Sequence, residues 1–216
     1  MKKLVLAAVT AVVSTVLVGV GPAPAAQAAG ETYSAPLTTA IGSLTVAAEV
    51  RTGYLRSKFK HWVDADGDGC STRFEVLDIE SETSVTCSNL TGGRWFSYYD
   101  RVSWTDSGRI DIDHMVPLAE AWDSGARNWT AAQREAYAND LGDSRTLVGV
   151  TDTVNQAKGD QDIAQWLPTY DKCRYLREYV AVKLRWRLTV NSGEKTAMQN
   201  LAAGCTNVTI TVTRAL

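Results

Sequence analysis

The chain has 216 residues, of which 22 are Lys or Arg and 24 are Asp or Glu, so its formal net charge is −2. That balance excludes a strongly basic protein that binds nucleic acid tightly through phosphate neutralisation over its whole surface. It leaves open an enzyme that is only locally basic, and the length fits one domain with its own hydrophobic core.

Residues 1–28 have the order of a secretory signal peptide. Lys2 and Lys3 precede an uncharged apolar run, and small residues follow up to Ala28. The run is too short and too rich in alanine for a membrane span. We therefore expect a secreted, extracellular monomer without a membrane partner, formed by a single domain over residues 29–216. Without Lys2 and Lys3, 20 basic residues remain against 24 acidic ones, a net charge of −4.

Four cysteines in an exported chain predict two disulfides rather than a metal cluster. They are Cys70, Cys87, Cys173 and Cys205. Three pairings are possible. We favour Cys70 with Cys87 and Cys173 with Cys205, because each pair closes a local loop and leaves the middle of the chain free.

The N-terminal half predicts helices followed by a small β-rich part. Apolar residues recur at helical spacing over residues 34–48, with Ser34 as the cap, and a second short helix is predicted over 55–62. Residues 74–99 are rich in β-branched and aromatic side chains and predict strands and hairpins, with a turn at 91–93.

The second half predicts a strand that ends at Pro117 and then alternating helices and short strands. The spacing of Thr130 and Gln133 is that of a capping box. The predicted elements are a strand at 110–116, helices at 117–124 and 130–141, a strand at 146–150, a helix from about 152, helices at 170–190 and 191–204, and a strand at 208–212. The predicted fold class is α+β.

The stretch DIDHMVPLAEAW contains His114, one of only two histidines in the chain. A strand end and a facing helix would bring three side-chain types together here: a carboxylate from Asp113, the imidazole, and a carboxamide from Asn155. Histidine is the side chain whose ordinary pKa lies nearest neutrality, so His114 suits a general base for water attacking phosphorus. The other histidine, His61, has no such pattern around it and is expected to be structural.

The oxygen donors near His114 predict a divalent metal. Asp113 and Asn155 supply hard oxygen ligands of the kind that Mg²⁺ binds, and Mn²⁺ is the alternative ion. Lys158 follows Asn155 by about one helical turn and is predicted to contact the phosphate backbone of the substrate. The combination fits hydrolysis of a phosphodiester.

The ordered pieces DIDHMVPL, AND, LVGV and NQAKGD resemble the HNH, or ββα-metal, endonuclease superfamily. Within it they are similar to the subgroup that contains the C-terminal domain of GmrSD-type restriction endonucleases and secreted actinobacterial nucleases. Asn155 stands where the family name has its last histidine. The resemblance implies a ββα-metal core over about residues 105–168, surrounded by additional helices.

The same resemblance implies roles for individual residues. His114 would be the general base, Asp113 and Asn155 the metal ligands, and Asn139 the residue that braces the loop; Arg73, in the piece Thr-Arg-x-Glu, would contact phosphate. The implied function is a secreted, metal-dependent endonuclease that cleaves DNA, or alternatively RNA, with little sequence specificity.

A second pattern leaves another function open. DADGDGCSTRFE matches the calcium-loop template, with Asp64, Asp66 and Asp68 at positions one, three and five and Glu75 at position twelve. The strand expected after Glu75 argues against this template, which is followed by a helix. The alternatives for the loop are a Ca²⁺ site, a tight acidic loop without an ion, and a contribution of Arg73 or Glu75 to the active site. A calcium-binding or adhesion module built on this loop is a second hypothesis for the function of the whole chain. A secreted toxin domain with the same nuclease chemistry is a third hypothesis for that function.

Overall fold

The computed structural model describes residues 30–216, so the predicted signal peptide lies outside the described part of the chain. Helices and three two-stranded antiparallel sheets make up this part, which confirms the α+β class. The strands are β1 (Thr32–Pro36), β2 (Trp95–Ser97), β3 (Val102–Trp104), β4 (Ile110–His114), β5 (Leu147–Thr151) and β6 (Thr209–Thr213). The helices are α1 (Leu37–Ser43), α2 (Thr72–Ile79), α3 (Leu118–Asp123), α4 (Ala131–Ala138), α5 (Asp152–Lys158), α6 (Lys172–Arg185) and α7 (Ser192–Ala202).

The larger hydrophobic core surrounds α6. The apolar stripe of this helix is buried, and Tyr175 and Tyr179 are among the largest fully buried side chains of the described residues. Helices α1 and α7 pack against α6, and the β1–β6 sheet closes the same core from the outside. The disulfide Cys173–Cys205 ties the start of α6 to the end of α7, as predicted.

A smaller core lies between α2 and the strands β4 and β5. Val76 and Leu77 from α2 pack with Trp95, Ile110 and other buried side chains of this layer. The indole Nε1 of Trp95 donates to the carbonyl oxygen of Leu77 at 2.6 Å, which satisfies a polar group that would otherwise be buried unpaired. The predicted disulfide Cys70–Cys87 fastens the chain just before α2 to the loop that follows it.

Three predictions for the N-terminal half are wrong. Residues 72–79 form a helix rather than a strand, because Val76 and Leu77 on one face cover β4 and β5 while Phe74 and Ile79 stay exposed. Residues 32–36 form a strand that pairs with β6, so α1 begins only after Pro36. The helix predicted over 55–62 is one 3₁₀ turn, Arg56–Lys58. The small β-rich part is therefore only the β2–β3 hairpin, and it lies further along the chain than predicted.

The predictions for the second half hold more closely. Strand β4 ends before Pro117, which caps α3. The capping box at Thr130 and Gln133 begins α4, and Asn191 and Glu194 form a second capping box at the start of α7. These are local interactions, and side chains three residues apart suffice to form them.

Glu80 binds a backbone N–H group on the edge of β5 that does not pair with β4. Its Oε2 accepts a hydrogen bond from the backbone N–H of Gly149 at 2.6 Å. A Cβ atom at position 149 would lie 2.6 Å from the same oxygen, so a larger residue here would displace the Glu80 side chain from this hydrogen bond. Burial raises the pKa of Glu80 from 4.5 to about 7, while the Gly149 hydrogen bond opposes the shift.

This raised pKa predicts a pH-dependent contribution of Glu80 to stability. Because the folded pKa of about 7 exceeds the unfolded value of 4.5, the contribution is fully present below pH 4.5 and is lost as pH rises to about 7. We expect the difference in unfolding free energy between wild type and Glu80→Gln to fall by on the order of 2 kcal/mol across that window. Urea titrations at pH 4.5 and 7.5 measure it. Glu82→Gln, on an exposed acid paired with Arg94, is the matched control, and an equal pH dependence in both variants contradicts the prediction.

Candidate active site

Two strands and a helix form the frame of the site. Strand β4 runs antiparallel to β5, with Ile112 opposite Gly149 and His114 opposite Leu147. Helix α5 begins directly after β5 and packs against both strands. The long connection between the strands, residues 115–146, carries α3 and α4. The end of β4 and one face of α5 therefore lie beside each other.

A cleft of about 190 Å³ lies where β4 and α5 meet. Asp113 and His114 line it from β4, and Asn155 lines it from α5. Arg56 and Asp160 also contribute to its walls. The structure thus brings together the carboxylate, the imidazole and the carboxamide that the sequence pattern singled out.

The ring of His114 has one nitrogen engaged and one available. Its Nε2 lies 2.9 Å from the carbonyl oxygen of Ala138, and since a carbonyl only accepts, Nε2 carries the proton. Trp62 and Tyr137 flank the ring, with centroids 5.5 and 6.2 Å away. Burial lowers the pKa of His114 to about 3, against the opposing effect of the Ala138 carbonyl. The imidazole is therefore neutral near pH 7, with Nδ1 as its basic atom.

Asp113 is held by two donors. The ammonium of Lys158 lies 2.5 Å from its Oδ2, and the hydroxyl of Tyr99 donates to the same oxygen at 2.6 Å. Lys158 is fully buried and also donates to the carbonyl oxygens of His114 and Met115, at 2.9 and 3.0 Å. Burial raises the pKa of Asp113 and lowers that of Lys158, and their mutual attraction opposes both shifts.

Two oxygens of this group are suited to a metal. The hydrogen bonds of Asp113 with the described residues go to Oδ2, which leaves Oδ1 for another partner. The amide Nδ2 of Asn155 donates to Oδ2 of Asp111 at 3.3 Å, which fixes the amide and leaves its carbonyl oxygen. A carboxylate oxygen and an amide oxygen are hard donors of the kind that Mg²⁺ binds, so the residues fit a divalent cation.

Asn139 lies outside the cleft and joins three segments. Its Nδ2 donates to the carbonyl oxygens of Lys60 and Glu135, both at 2.8 Å. Its Oδ1 accepts from the N–H of Val63 at 3.1 Å and from the hydroxyl of Thr72 at 3.0 Å. The residue therefore secures the end of α4, whose Ala138 carbonyl binds His114. This position fits the bracing role that the resemblance implies.

The two cations predicted to contact phosphate have other partners. Lys158 has no exposed surface, and its charge points to Asp113 and two backbone carbonyls. Arg73 donates to the carbonyl oxygens of Ile110 at 2.9 Å and Ser107 at 3.3 Å, which fastens α2 to the start of β4. Both cations stabilise backbone in this structure, so the geometry favours a structural role for each.

Sequence reasoning missed two residues of the site. Tyr99 lies at the end of the aromatic stretch that predicted strands and hairpins, and only its hydrogen bond to Asp113 reveals its part in the site. Arg56 was placed in a predicted helix remote from the histidine motif, yet it lines the cleft. A cluster of basic residues over 51–60 was the available signal for it.

The acidic loop forms a separate group. Oxygen atoms of Asp64, Asp66 and Asp68 lie within 4.8 Å of one another, and all three residues are exposed. One oxygen of Glu75 is buried without a hydrogen-bond partner among the described residues. Burial and the charges of the three aspartates raise the pKa of Glu75. Helix α2 begins at Thr72, so a helix follows this loop where a strand was expected.

These observations define a disulfide-bonded α+β protein with a histidine, a carboxylate and a carboxamide in one cleft. Residues 70–201 match the family model of the GmrSD restriction endonucleases, C-terminal domain, and the chain belongs to that family. Membership indicates a nuclease-type activity and a nucleic acid substrate. No solved structure matches the chain.

A relative supports the predicted location. A protein of Arthroderma benhamiae described as an uncharacterized secreted protein is 40% identical over 201 residues, which covers 90% of this chain and 97% of the relative. This similarity confirms the predicted secreted, extracellular location. Among the helices of residues 30–216, none combines the length and the apolar character needed to cross a bilayer.

The burial of Lys158 leads to a prediction that distinguishes a structural role of this residue from a contact with phosphate. Lys158→Ala leaves the carboxylate of Asp113 buried without its cation, so we expect a loss of about 3 kcal/mol or more in unfolding free energy. Lys172→Ala, on an exposed lysine at the start of α6, should cost less than about 0.5 kcal/mol. Calorimetric melting measures both. Unchanged stability of Lys158→Ala together with weaker nucleic acid binding would support the phosphate contact instead.

Proposed function

We propose that the protein is a secreted, metal-dependent HNH-type endonuclease that hydrolyses phosphodiester bonds of DNA, with RNA as the alternative substrate. The strand–strand–helix unit formed by β4, β5 and α5 would be its ββα-metal core, within residues 105–168. One observation carries the proposal: a neutral histidine and the free oxygens of a carboxylate and a carboxamide line the same cleft.

In this proposal, His114 acts as the general base. Its Nδ1 takes a proton from the attacking water, and the Ala138 carbonyl at Nε2 stabilises the imidazolium that forms. Attack at phosphorus with departure of the 3′-oxygen leaves 5′-phosphate and 3′-hydroxyl ends. The contacts proposed here are to the phosphate backbone, which carries no sequence information directly, so we expect little sequence specificity.

Asp113 and Asn155 would hold the metal, Mg²⁺ or Mn²⁺. When bound, the ion would supply positive charge to the phosphate and to the leaving oxygen. Lys158 and Tyr99 orient Asp113 by occupying its other oxygen. Asp111 orients the amide of Asn155. Fixed ligands of this kind reduce the reorganisation required when the ion and substrate arrive.

The proposal is tested by replacing each histidine in turn. We expect His114→Ala to lower the rate of plasmid cleavage in Mg²⁺ or Mn²⁺ by about 10²–10⁴-fold, the usual range for a lost general base. His61→Ala is the matched control, because His61 lies outside the cleft, where its ring contacts the Phe59 carbonyl and the ring of Trp62. Its rate should stay within about threefold of wild type.

Metal removal provides the second part of this test. Chelation by EDTA should abolish cleavage, and Mg²⁺ or Mn²⁺ should restore it. Intact plasmid with wild-type protein whose disulfides are formed, or equal rates for the two histidine variants, would refute the proposal. Parallel reactions with DNA and RNA establish which nucleic acid is cleaved faster.

The acidic loop favours a second, separate binding property. We propose that Asp64, Asp66, Asp68 and Glu75 bind Ca²⁺. Two features support it: a helix follows the loop as the template requires, and Glu75 has a buried oxygen without a partner among the described residues. This property would stabilise the nuclease, or, in the alternative, serve a calcium-binding or adhesion module.

The calcium proposal predicts a thermal shift. We expect Ca²⁺ at about 5 mM to raise the melting temperature of the wild type by several degrees, since extracellular sites bind at about 10⁻⁴–10⁻³ M. Asp66→Asn should lose most of this shift. Asp106→Asn, at an exposed aspartate outside the loop, should keep it. An equal shift in both variants, or none in the wild type, contradicts the proposal.

A further inference from the structure

We propose that Arg56 is the residue that binds a backbone phosphate of the substrate at the mouth of the cleft. The inference rests on the proposed function, because it names the contact through which a polyanionic nucleic acid would be held at the His114 site. The ligand is the pair of non-bridging oxygens of a phosphodiester, which a guanidinium binds with two parallel hydrogen bonds.

The cations around the site differ in the binding partners that they already have within the protein. Of the four basic residues between positions 51 and 60, Arg51 is paired with Asp123 at 2.7 Å and with Asp160 at 3.3 Å. Lys60 is paired with Glu135 at 3.2 Å. Lys58 donates to the carbonyl oxygen of Gly53 at 2.7 Å.

Arg56 differs from Arg51 and Lys60 in having no carboxylate partner; its side chain forms a hydrogen bond with the hydroxyl of Tyr54. It is exposed, it lines the cleft, and no carboxylate of the described residues lies within ion-pair distance of it. With Lys158 buried and Arg73 bound to backbone, Arg56 is the only cation of residues 30–216 that lines the cleft. A phosphate approaching His114 therefore meets this charge.

The backbone that carries Arg56 is anchored directly after this residue. Phe59 follows it by three residues and is fully buried, with its ring against Trp122 and Tyr137. The guanidinium Nε of Arg134 donates to the carbonyl oxygen of Lys58 at 3.2 Å. A fixed turn loses little backbone entropy on binding, so the exposed side chain can contribute most of its interaction energy to affinity.

Arg56 also lies within electrostatic range of the catalytic base. Burial is the main cause of the lowered pKa of His114, and the positive charge of Arg56 adds to it. Asp160, which is negatively charged, also lines this cleft. Its carboxylate accepts a hydrogen bond from Arg51. The pairing of Arg51 with Asp160 thus reduces the repulsion that a phosphate would otherwise meet there.

Binding of short fluorescein-labelled DNA duplexes and single strands tests the inference. Measurements by fluorescence anisotropy in EDTA and low salt keep the substrate uncleaved. We expect Arg56→Gln to weaken binding about tenfold and to lower the slope of log K against log salt by about one. Lys60→Gln removes the same charge from the same segment outside the cleft, and it should change the affinity less than about twofold. Arg56→Lys should fall between wild type and Arg56→Gln.

A second measurement locates the contact on the nucleic acid. Oligonucleotides that carry one neutral methylphosphonate linkage, moved along the strand, are bound to wild type and to Arg56→Gln. At the contacted linkage, the loss of affinity caused by the methylphosphonate and the loss caused by Arg56→Gln should not add, because both changes remove the same interaction. Melting curves check that both variants are folded.

The outcomes separate this inference from the proposed hydrolysis. Equal affinities for Arg56→Gln and Lys60→Gln, additive losses at every linkage, or no binding by the wild type would overturn the Arg56 contact. If wild-type protein fails to cleave plasmid but Arg56→Gln still weakens binding at one linkage, the hydrolytic proposal fails and the phosphate contact stands. Cleavage with normal KM in Arg56→Gln would overturn only the contact.

Discussion

The buried ion pair between Lys158 and Asp113 is the interaction on which the site depends. Its 2.5 Å contact joins the last turn of α5 to the end of β4. The same ammonium is buried and donates to two backbone carbonyl oxygens. Such a pair repays the cost of burial only when its hydrogen bonds are complete. Here the ammonium of Lys158 has three oxygen acceptors, and the ring of Tyr175 lies 5.8 Å from it. The geometry of the cleft follows from this junction.

The pair also explains how adjacent residues of a strand can serve one cleft. Neighbouring side chains of a regular strand point to opposite faces. Asp113 and His114 both reach the cleft because β4 ends at His114, just before Pro117, and because Lys158 binds the His114 and Met115 carbonyls where the chain leaves the sheet. Asn139 fixes the other side of the ring by securing the turn that follows Ala138.

The charge distribution accounts for a nuclease-type protein with an acidic balance. Most cations near the site already have partners within the protein: Lys158 and Arg73 bind backbone carbonyls, and Arg51 binds two aspartates. Burial around His114 lowers the pKa of the imidazole and keeps it neutral near pH 7. Arg56 therefore supplies positive charge at the cleft, although the protein as a whole carries a net negative charge.

The sequence by itself determined the elements whose signals are local. Capping boxes, the break at Pro117, the stripe of α6 and the loop-closing disulfides all depend on residues close in the chain, and the structure has them. The tertiary structure decided the rest. Strand β1 exists only through β6, about 180 residues away, and α2 is a helix because Val76 and Leu77 cover a sheet formed later. The roles of the charged residues were also decided by tertiary structure. Lys158 is buried against Asp113, and Arg56 lines the cleft, only because segments distant in the chain meet there.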